Sequence, residues 1–281
     1  MPLTTSLNML ARAREGRYAV GAFNAENMEM VQAIISAAER LEAPVMIQTT
    51  PGTLRYASPE MFFAMTSVEA KGARVPVAIH LDHGEDLAMA ARALRAGYTS
   101  IMIDGSKKAL GENIAITREV VMMCEPCGVP VEGELGRVGG KEDDLEGGEG
   151  YTDPGEAVEF VERTGVRSLA VGVGTAHGVY AVEPALNVEL ISALRGRIDI
   201  PMVLHGASGL RDDVVRDCVA RGICKVNFAT ELRVAFTKAA STYMSESPKA
   251  LDPKKFGAAA RDAVADLVAE KIRLCGCEGR G

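Results

Sequence analysis

Four histidines occur among the 281 residues, at positions 80, 83, 177 and 205, and each follows a run of small or β-branched apolar residues. In His80-Leu81-Asp82-His83 a carboxylate stands between two imidazoles at the end of the apolar stretch VPVAIHLDHG. A single buried imidazole most simply satisfies hydrogen bonds in a core. Three neutral imidazoles brought together from separate segments have a second use: they can hold a catalytic metal and leave one or two positions to water or substrate. His83, His177 and His205 are the candidates for such a set, with Glu134 as a further ligand, and the residues alone leave both uses open.

A second chemical signal is anionic recognition. Gly-Thr-Ala-His-Gly at 174–178, His-Gly-Ala-Ser-Gly at 205–209 and Asn-Phe-Ala-Thr-Glu at 227–231 place small residues or a hydroxyl where a strand turns into a helix. Such turns aim backbone N–H groups and a helix amino terminus at a phosphate. Each is also readable as no more than a tight turn.

The elements that would position these residues follow a regular beat. Strand-like apolar runs lie at 19–24, 44–50, 75–83, 100–106, 130–136, 168–174, 201–207 and 225–230, with helical periodicity between them. Eight βα units whose strands are apolar on both faces are most simply closed into a single (β/α)8 TIM barrel spanning residues 1–281. An open doubly wound sheet would call for a glycine-rich turn after the first strand, and Phe23-Asn24-Ala25-Glu26 supplies none. Additional terminal helices are expected, one near the amino terminus and one at about 253–274. The acidic, glycine-rich stretch at about 137–153 reads as a long mobile loop at the carboxyl end of a barrel strand, where such folds keep lids and catalytic groups.

Composition narrows the function classes. A net charge of −7 and an isoelectric point near 5.3 argue against nucleic acid or an anionic membrane as a partner. No stretch approaches a membrane span, and the first residues lack the pattern of an export signal, so a cytoplasmic location is expected. The six cysteines read as reduced thiols. Cys124-x-x-Cys127 and Cys275-x-Cys277 could form a divided zinc site only if their helix ends were brought together.

The strings AIHLDHG, SIMIDGS, VEGELG with GGKEDD, VGVGTAHGVY, LHGASGL and KVNFATEL resemble those of the class II, metal-dependent ketose-bisphosphate aldolases over essentially the whole chain. QTTPGT near residue 50 and the ending CGCEGRG resemble the tagatose-bisphosphate type, while Glu26 stands where that type's FNxxN segment has a histidine. The resemblance implies Zn²⁺ on His83, His177 and His205, with Glu134 near the metal and His80 a core residue. Asp82 would exchange the proton of the C4 hydroxyl, Glu142 the proton at C3, and Asn227 would hydrogen-bond the same oxygen region. Gly178, Gly206, Ala207, Ser208, Asn227, Phe228, Ala229 and Thr230 would bind the dihydroxyacetone phosphate half, with a monovalent cation nearby as a further candidate. Partners implied are phosphorylated ketoses and triose phosphates, a homodimer or homotetramer, and a non-catalytic accessory subunit.

Competing readings are a fructose 1,6-bisphosphate aldolase of the same mechanism, a class I enzyme using Lys225 as a Schiff base, and an accessory subunit that binds phosphate without catalysis. Arg280 is the candidate for the substrate's distal phosphate. Strand alternation puts His80 and Asp82 on one face and His83 on the other. For Asp82 and His83 to share a site, the strand is expected to twist or end at Asp82, and an end there is the expectation.

Overall fold

The computed structural model describes residues 3–142, 145–147, 150–178, 184, 186–249 and 251–281, with backbone alone described at 140–142 and 145–147. Eight parallel strands close on themselves. They are β1 (Val20–Asn24), β2 (Val45–Thr49), β3 (Val77–Gly84), β4 (Ser100–Ile103), β5 (Val131–Leu135), β8 (Ser168–Val171), β10 (Met202–Leu204) and β11 (Ile223–Phe228). Closure is made by β1 on β11, in register Val20 to Lys225 and Phe23 to Phe228. The fold is therefore the expected TIM barrel, and each sequence run supplied one barrel strand.

Helices α1 (Ser6–Gly16), α2 (Met28–Arg40), α3 (Pro51–Tyr56), α4 (Pro59–Gly72), α5 (Leu87–Ala96), α6 (Leu110–Cys124), α7 (Pro154–Thr164), α8 (Val188–Arg195), α9 (Asp212–Arg221), α10 (Thr230–Glu246) and α11 (Pro253–Leu274) complete the chain. Several starts are fixed locally: Asn27, Asp86 and Asp153 accept hydrogen bonds from the first-turn amides of α2, α5 and α7, satisfying donors that a helix cannot pair itself. The outward-facing strand residues and the inner helix faces form one continuous apolar layer that includes Phe23, Ile47, Phe160 and Phe228. α11 packs against α2 and α10 on the barrel wall. Ser6 of α1 bonds Ser100 inside the amino-terminal end of the barrel, Oγ to Oγ at 2.9 Å.

Two expectations need correction. The stretch after β5 is not without structure of its own: β6 (Gly139–Glu142) and β7 (Leu145–Gly147) form an antiparallel pair, and β6 also runs parallel to β9 (Ala176–His177). Glycine and charged residues make up nearly all of that pairing, Gly140 standing opposite Gly147 and Lys141 opposite Glu146, so no apolar alternation announces it. The second correction concerns β3, which continues through Asp82 to Gly84. Its register against β4 steps from Leu81–Ile101 to Gly84–Ile103, so Asp82 and His83 together face Met102 alone. This is a β-bulge, and the extra residue is His83, held at φ +49°, a left-handed conformation that histidine tolerates better than branched residues. Gly84 makes the bulge possible, because a Cβ there would stand 2.4 Å from the Met102 carbonyl oxygen.

Candidate active site

The bulge solves the parity problem by turning consecutive side chains into one space. Asp82 and His83 are both buried, and His83 Nε2 lies 4.0 Å from Asp82 Oδ1. His205, just past β10, faces His83 with Nδ1 3.1 Å from His83 Nε2. His177, on β9, completes the group: the ligating nitrogens of His83, His177 and His205 lie within 4.8 Å of one another. β6 pairs directly with the His177 segment, Gly140 to His177, so the stretch carrying Glu142 is tied to the third histidine. Glu142 closes β6, and its side chain lies outside the described residues.

Each of the two facing histidines is fixed from behind. His83 Nδ1 meets Asp104 Oδ2 at 2.9 Å, and Asp104 is itself held through Oδ1 by the amide and hydroxyl of Ser106. His205 Nε2 meets Glu132 Oε1 at 3.1 Å. A carboxylate behind each ring fixes its orientation and turns the opposite nitrogen toward the shared space. Two imidazole nitrogens bound to one tetrahedral zinc at about 2.0–2.1 Å would stand about 3.3 Å apart. The observed 3.1 Å is close to that spacing, and Glu134 Oε2, buried without a hydrogen-bond partner, lies 3.4 Å from His205 Nδ1. The donor set fits a divalent metal. His83, Asp104 and Glu134 form a second group of suitable geometry, and among the described residues the cysteines form none. The divided cysteine site is thus excluded there, since Cys275 and Cys277 follow α11 while Cys124 ends α6.

Burial and the close approach of acids and imidazoles shift the pKa values of Asp82, His83, Glu134, His177 and His205. Burial and the neighbouring carboxylates of Asp104, Glu132 and Asp82 push the Glu134 carboxyl well above its ordinary range. Burial opposes ionisation of Asp82 too, but His83, His205, Lys225 and the Asn24 amide outweigh it and hold its carboxyl below the usual range. Burial likewise works against a charge on His83, where Asp82, Asp104 and Glu134 prevail and raise its pKa. His177 and His205 are lowered, by burial first and then by His83.

Asp82 is gripped by amides from three adjacent strands. Asn24 of β1 donates from Nδ2 to Oδ2 at 3.0 Å, and Asn227 of β11 donates to Oδ1 at 3.1 Å. Gln48 of β2 donates to Asn24 Oδ1 at 2.8 Å and to Asp82 Oδ2 at 3.4 Å. The Asn227 and Gln48 carbonyl oxygens are buried and unpartnered.

The phosphate candidates also converge. Gly206, Ala207 and Ser208 follow β10, and Ser208 Oγ accepts from the Ala229 amide at 3.3 Å, joining that loop to the start of α10 at Thr230. Gly206, at φ +65°, lets the loop pass the β9 backbone, since a Cβ would meet the Ala176 carbonyl oxygen at 2.6 Å. Gly178 directly follows His177. Phe228 differs from its neighbours, because its ring stacks on Phe23 in the helix-facing layer and it can offer a ligand only its backbone.

Two candidates lie elsewhere. Lys225 is fully buried below the histidines, its Nζ 3.0 and 3.1 Å from the Glu132 oxygens and 3.3 Å from His80 Nε2, so its nitrogen is not presented to substrate. His80 is the core residue expected, with Nδ1 2.8 Å from Ser100 Oγ. Arg280 stands over the Tyr18 ring, beside Pro44 and Pro76 at the starts of β2 and β3, at the end of the barrel opposite the histidines.

The model of the class II fructose-bisphosphate aldolases matches residues 4–280. The chain belongs to this family. Similar solved structures agree: the YdjI aldolase of Escherichia coli K12 is 38% identical with a TM-score of 0.88, each chain covered over 99%. A protein assigned as a fructose-1,6-bisphosphate aldolase from Coccidioides immitis is 30% identical with a TM-score of 0.91, over 99% of this chain and 98% of that one. The fructose-bisphosphate aldolase of Campylobacter jejuni, 20% identical over 100% and 97% of the two chains, shares the fold with a TM-score of 0.85. The aldolase is thus a metal-dependent carbon–carbon lyase of ketose bisphosphates. Among the described residues, no helix is long and apolar enough to cross a membrane.

Proposed function

We propose that this aldolase reversibly cleaves tagatose 1,6-bisphosphate to dihydroxyacetone phosphate and glyceraldehyde 3-phosphate, with Zn²⁺ held by His83, His177 and His205. The observation that carries the reading is Asp82: a buried carboxylate beside the histidine group, with both oxygens oriented by amides. When bound, the metal acts as a Lewis acid on the carbonyl side of the bond that breaks. Asp82 takes the C4 hydroxyl proton as the C3–C4 bond breaks and the C4 carbonyl forms, and the electron pair stays with C3. Glu142 delivers a proton to C3, which balances the cleavage, and the roles reverse in condensation. Asn227 holds Asp82 through its amide while its free carbonyl oxygen faces the site. Backbone amides of Gly206 to Ser208, of Ala229 and Thr230 and of Gly178 receive the phosphate of the triose half, with a monovalent cation beside it.

QTTPGT and CGCEGRG favour tagatose, and fructose 1,6-bisphosphate is the alternative. The two sugars differ at C4, the carbon whose hydroxyl Asp82 serves, so the amides around that carboxylate decide between them. The test is kcat/KM for both epimers with metal-loaded protein; a preference for fructose 1,6-bisphosphate removes the tagatose assignment, and cleavage of neither removes the reading. The enzyme is read as a cytoplasmic homodimer or homotetramer, and the need for an accessory subunit is tested by activity of the purified chain alone.

A further inference from the structure

The barrel mouth carries a charged cluster that this chemistry does not use. Glu26 follows β1 by two residues, Thr53 lies in the first turn of α3 after β2, and Arg233 lies in the first turn of α10 after β11. They meet because β11, β1 and β2 are adjacent in the barrel. Arg233 Nε donates to Glu26 Oε1 at 2.8 Å and its Nη2 lies 2.7 Å from the same oxygen, while Thr53 Oγ1 donates to Glu26 Oε2 at 2.6 Å. The pair is partly sheltered, with about a third or less of either side chain exposed, 27% for Glu26 and 33% for Arg233.

Its place relative to Asp82 gives it a function. On one side of Asp82 stand the histidines; on the other stand Asn24, Gln48 and Asn227, which come from the three strands whose loops carry the cluster. A ketose with its middle oxygens at the histidines and its C4 hydroxyl at Asp82 carries C5 and C6 beyond Asp82, on the side of β11, β1 and β2, whose following segments hold Arg233, Glu26 and Thr53. We infer that the Glu26–Arg233 pair forms the subsite for the distal end of the substrate, and that Glu26 sets how strongly a distal phosphate is preferred. This rests on the proposed aldol cleavage. The guanidinium fork suits a phosphate. A phosphate bound there must nonetheless share Arg233 with Glu26 and sit beside a like charge, which lowers its advantage over an uncharged, hydroxylated end. Such an end finds both a donor and an acceptor in the same pair. The aldolase therefore also accepts ketose 1-phosphates and releases an unphosphorylated hydroxyaldehyde from them.

The test compares kcat/KM for the ketose 1,6-bisphosphate and the ketose 1-phosphate of whichever C4 epimer is cleaved faster, using metal-loaded enzyme. Glu26→Gln raises the bisphosphate to monophosphate ratio by about tenfold, as removal of a like charge from a phosphate site requires. Arg233→Met brings the ratio toward one. The double variant Glu26→Gln/Arg233→Met, which removes both charges of the Glu26–Arg233 pair, folds and matches Arg233→Met. An unmoved ratio in Glu26→Gln, or parallel loss of both substrates in all three variants, overturns the inference while the proposed function stands. Wild-type enzyme that cleaves neither compound overturns the proposed function and this inference with it.

Discussion

The buried pair beneath the histidines allows a prediction with two independent readouts. Lys225 Nζ lies 3.0 and 3.1 Å from the two Glu132 oxygens, and the side chains are 0% and 1% exposed. Lys225→Met removes the ammonium and leaves a carboxylate in the barrel without its cation, at an expected cost of about 3–5 kcal/mol of folding stability. That is a large part of the roughly 5–15 kcal/mol available to a typical domain. Glu132→Gln/Lys225→Met removes both charges and should recover most of the loss, since a neutral pair of similar volume is often no worse than a buried ion pair. Metal affinity should follow a different order. Glu132 holds His205 Nε2, so every variant lacking its carboxylate should bind zinc about 10–100-fold more weakly. Urea unfolding of metal-free protein measures the first quantity and competition with a chromophoric chelator the second. Equal stability losses in the single and double variants, or unchanged zinc affinity in the double variant, would refute the reasoning.

Replacing Asp82 with Ala should lower cleavage by about 10²–10⁴-fold, the usual worth of a positioned acid–base group, and leave zinc content by atomic absorption unchanged; near-normal turnover would sink the proposed mechanism. Thorough chelation should abolish activity, zinc should restore it, and borohydride should trap no adduct on Lys225; activity that survives metal removal would restore the Schiff-base alternative. Gly84→Ala forces a Cβ to within 2.4 Å of the Met102 carbonyl, and the strain should cost about 1–3 kcal/mol. Because the bulge also aims His83, that variant should lose metal affinity as well as melting temperature, and loss of melting temperature alone would separate the bulge from the site.

The barrel was legible because its strands are mostly apolar and seven of the eleven described helices begin on a side-chain cap, so most βα units announce themselves locally. The histidine group was legible once eight strand ends were assumed to converge. Other features depended on partners that local reading does not supply. Asp104 sits in the quoted string SIMIDGS, but only the bulge at His83 brings it to an imidazole nitrogen. Asn24 and Gln48 lie at the carboxyl ends of ordinary strands, and their role appears only when barrel closure brings both amides to Asp82. Arg280 looked available because its tail follows the last helix, yet Gly279 and Gly281 donate to the carbonyls of Leu41 and Glu42, which fixes that tail at the wrong end of the barrel.

The sequence carries one further signal of the site. Along β3, β5 and β11 the inward positions carry polar residues two apart: His80 and Asp82, Glu132 and Glu134, Lys225 and Asn227. Alternation makes each pair share the lumen, so the three strands build two stacked polar layers. The lower layer is His80, Glu132 and Lys225, with Lys225 joined to the other two at 3.0 to 3.3 Å. The upper layer is Asp82, Glu134 and Asn227, which keeps unpartnered oxygens on Glu134 and Asn227. Elsewhere in the lumen Met102, Ala170 and Val203 form a small apolar cluster of their own. A saturated layer under an unsaturated one is what a rigid catalytic floor requires. The lower charges are paired with each other, while the upper layer keeps unpartnered oxygens beside the histidines. Glu132 joins the two levels through His205, so the order of the lower layer is transmitted to a metal ligand by one hydrogen bond.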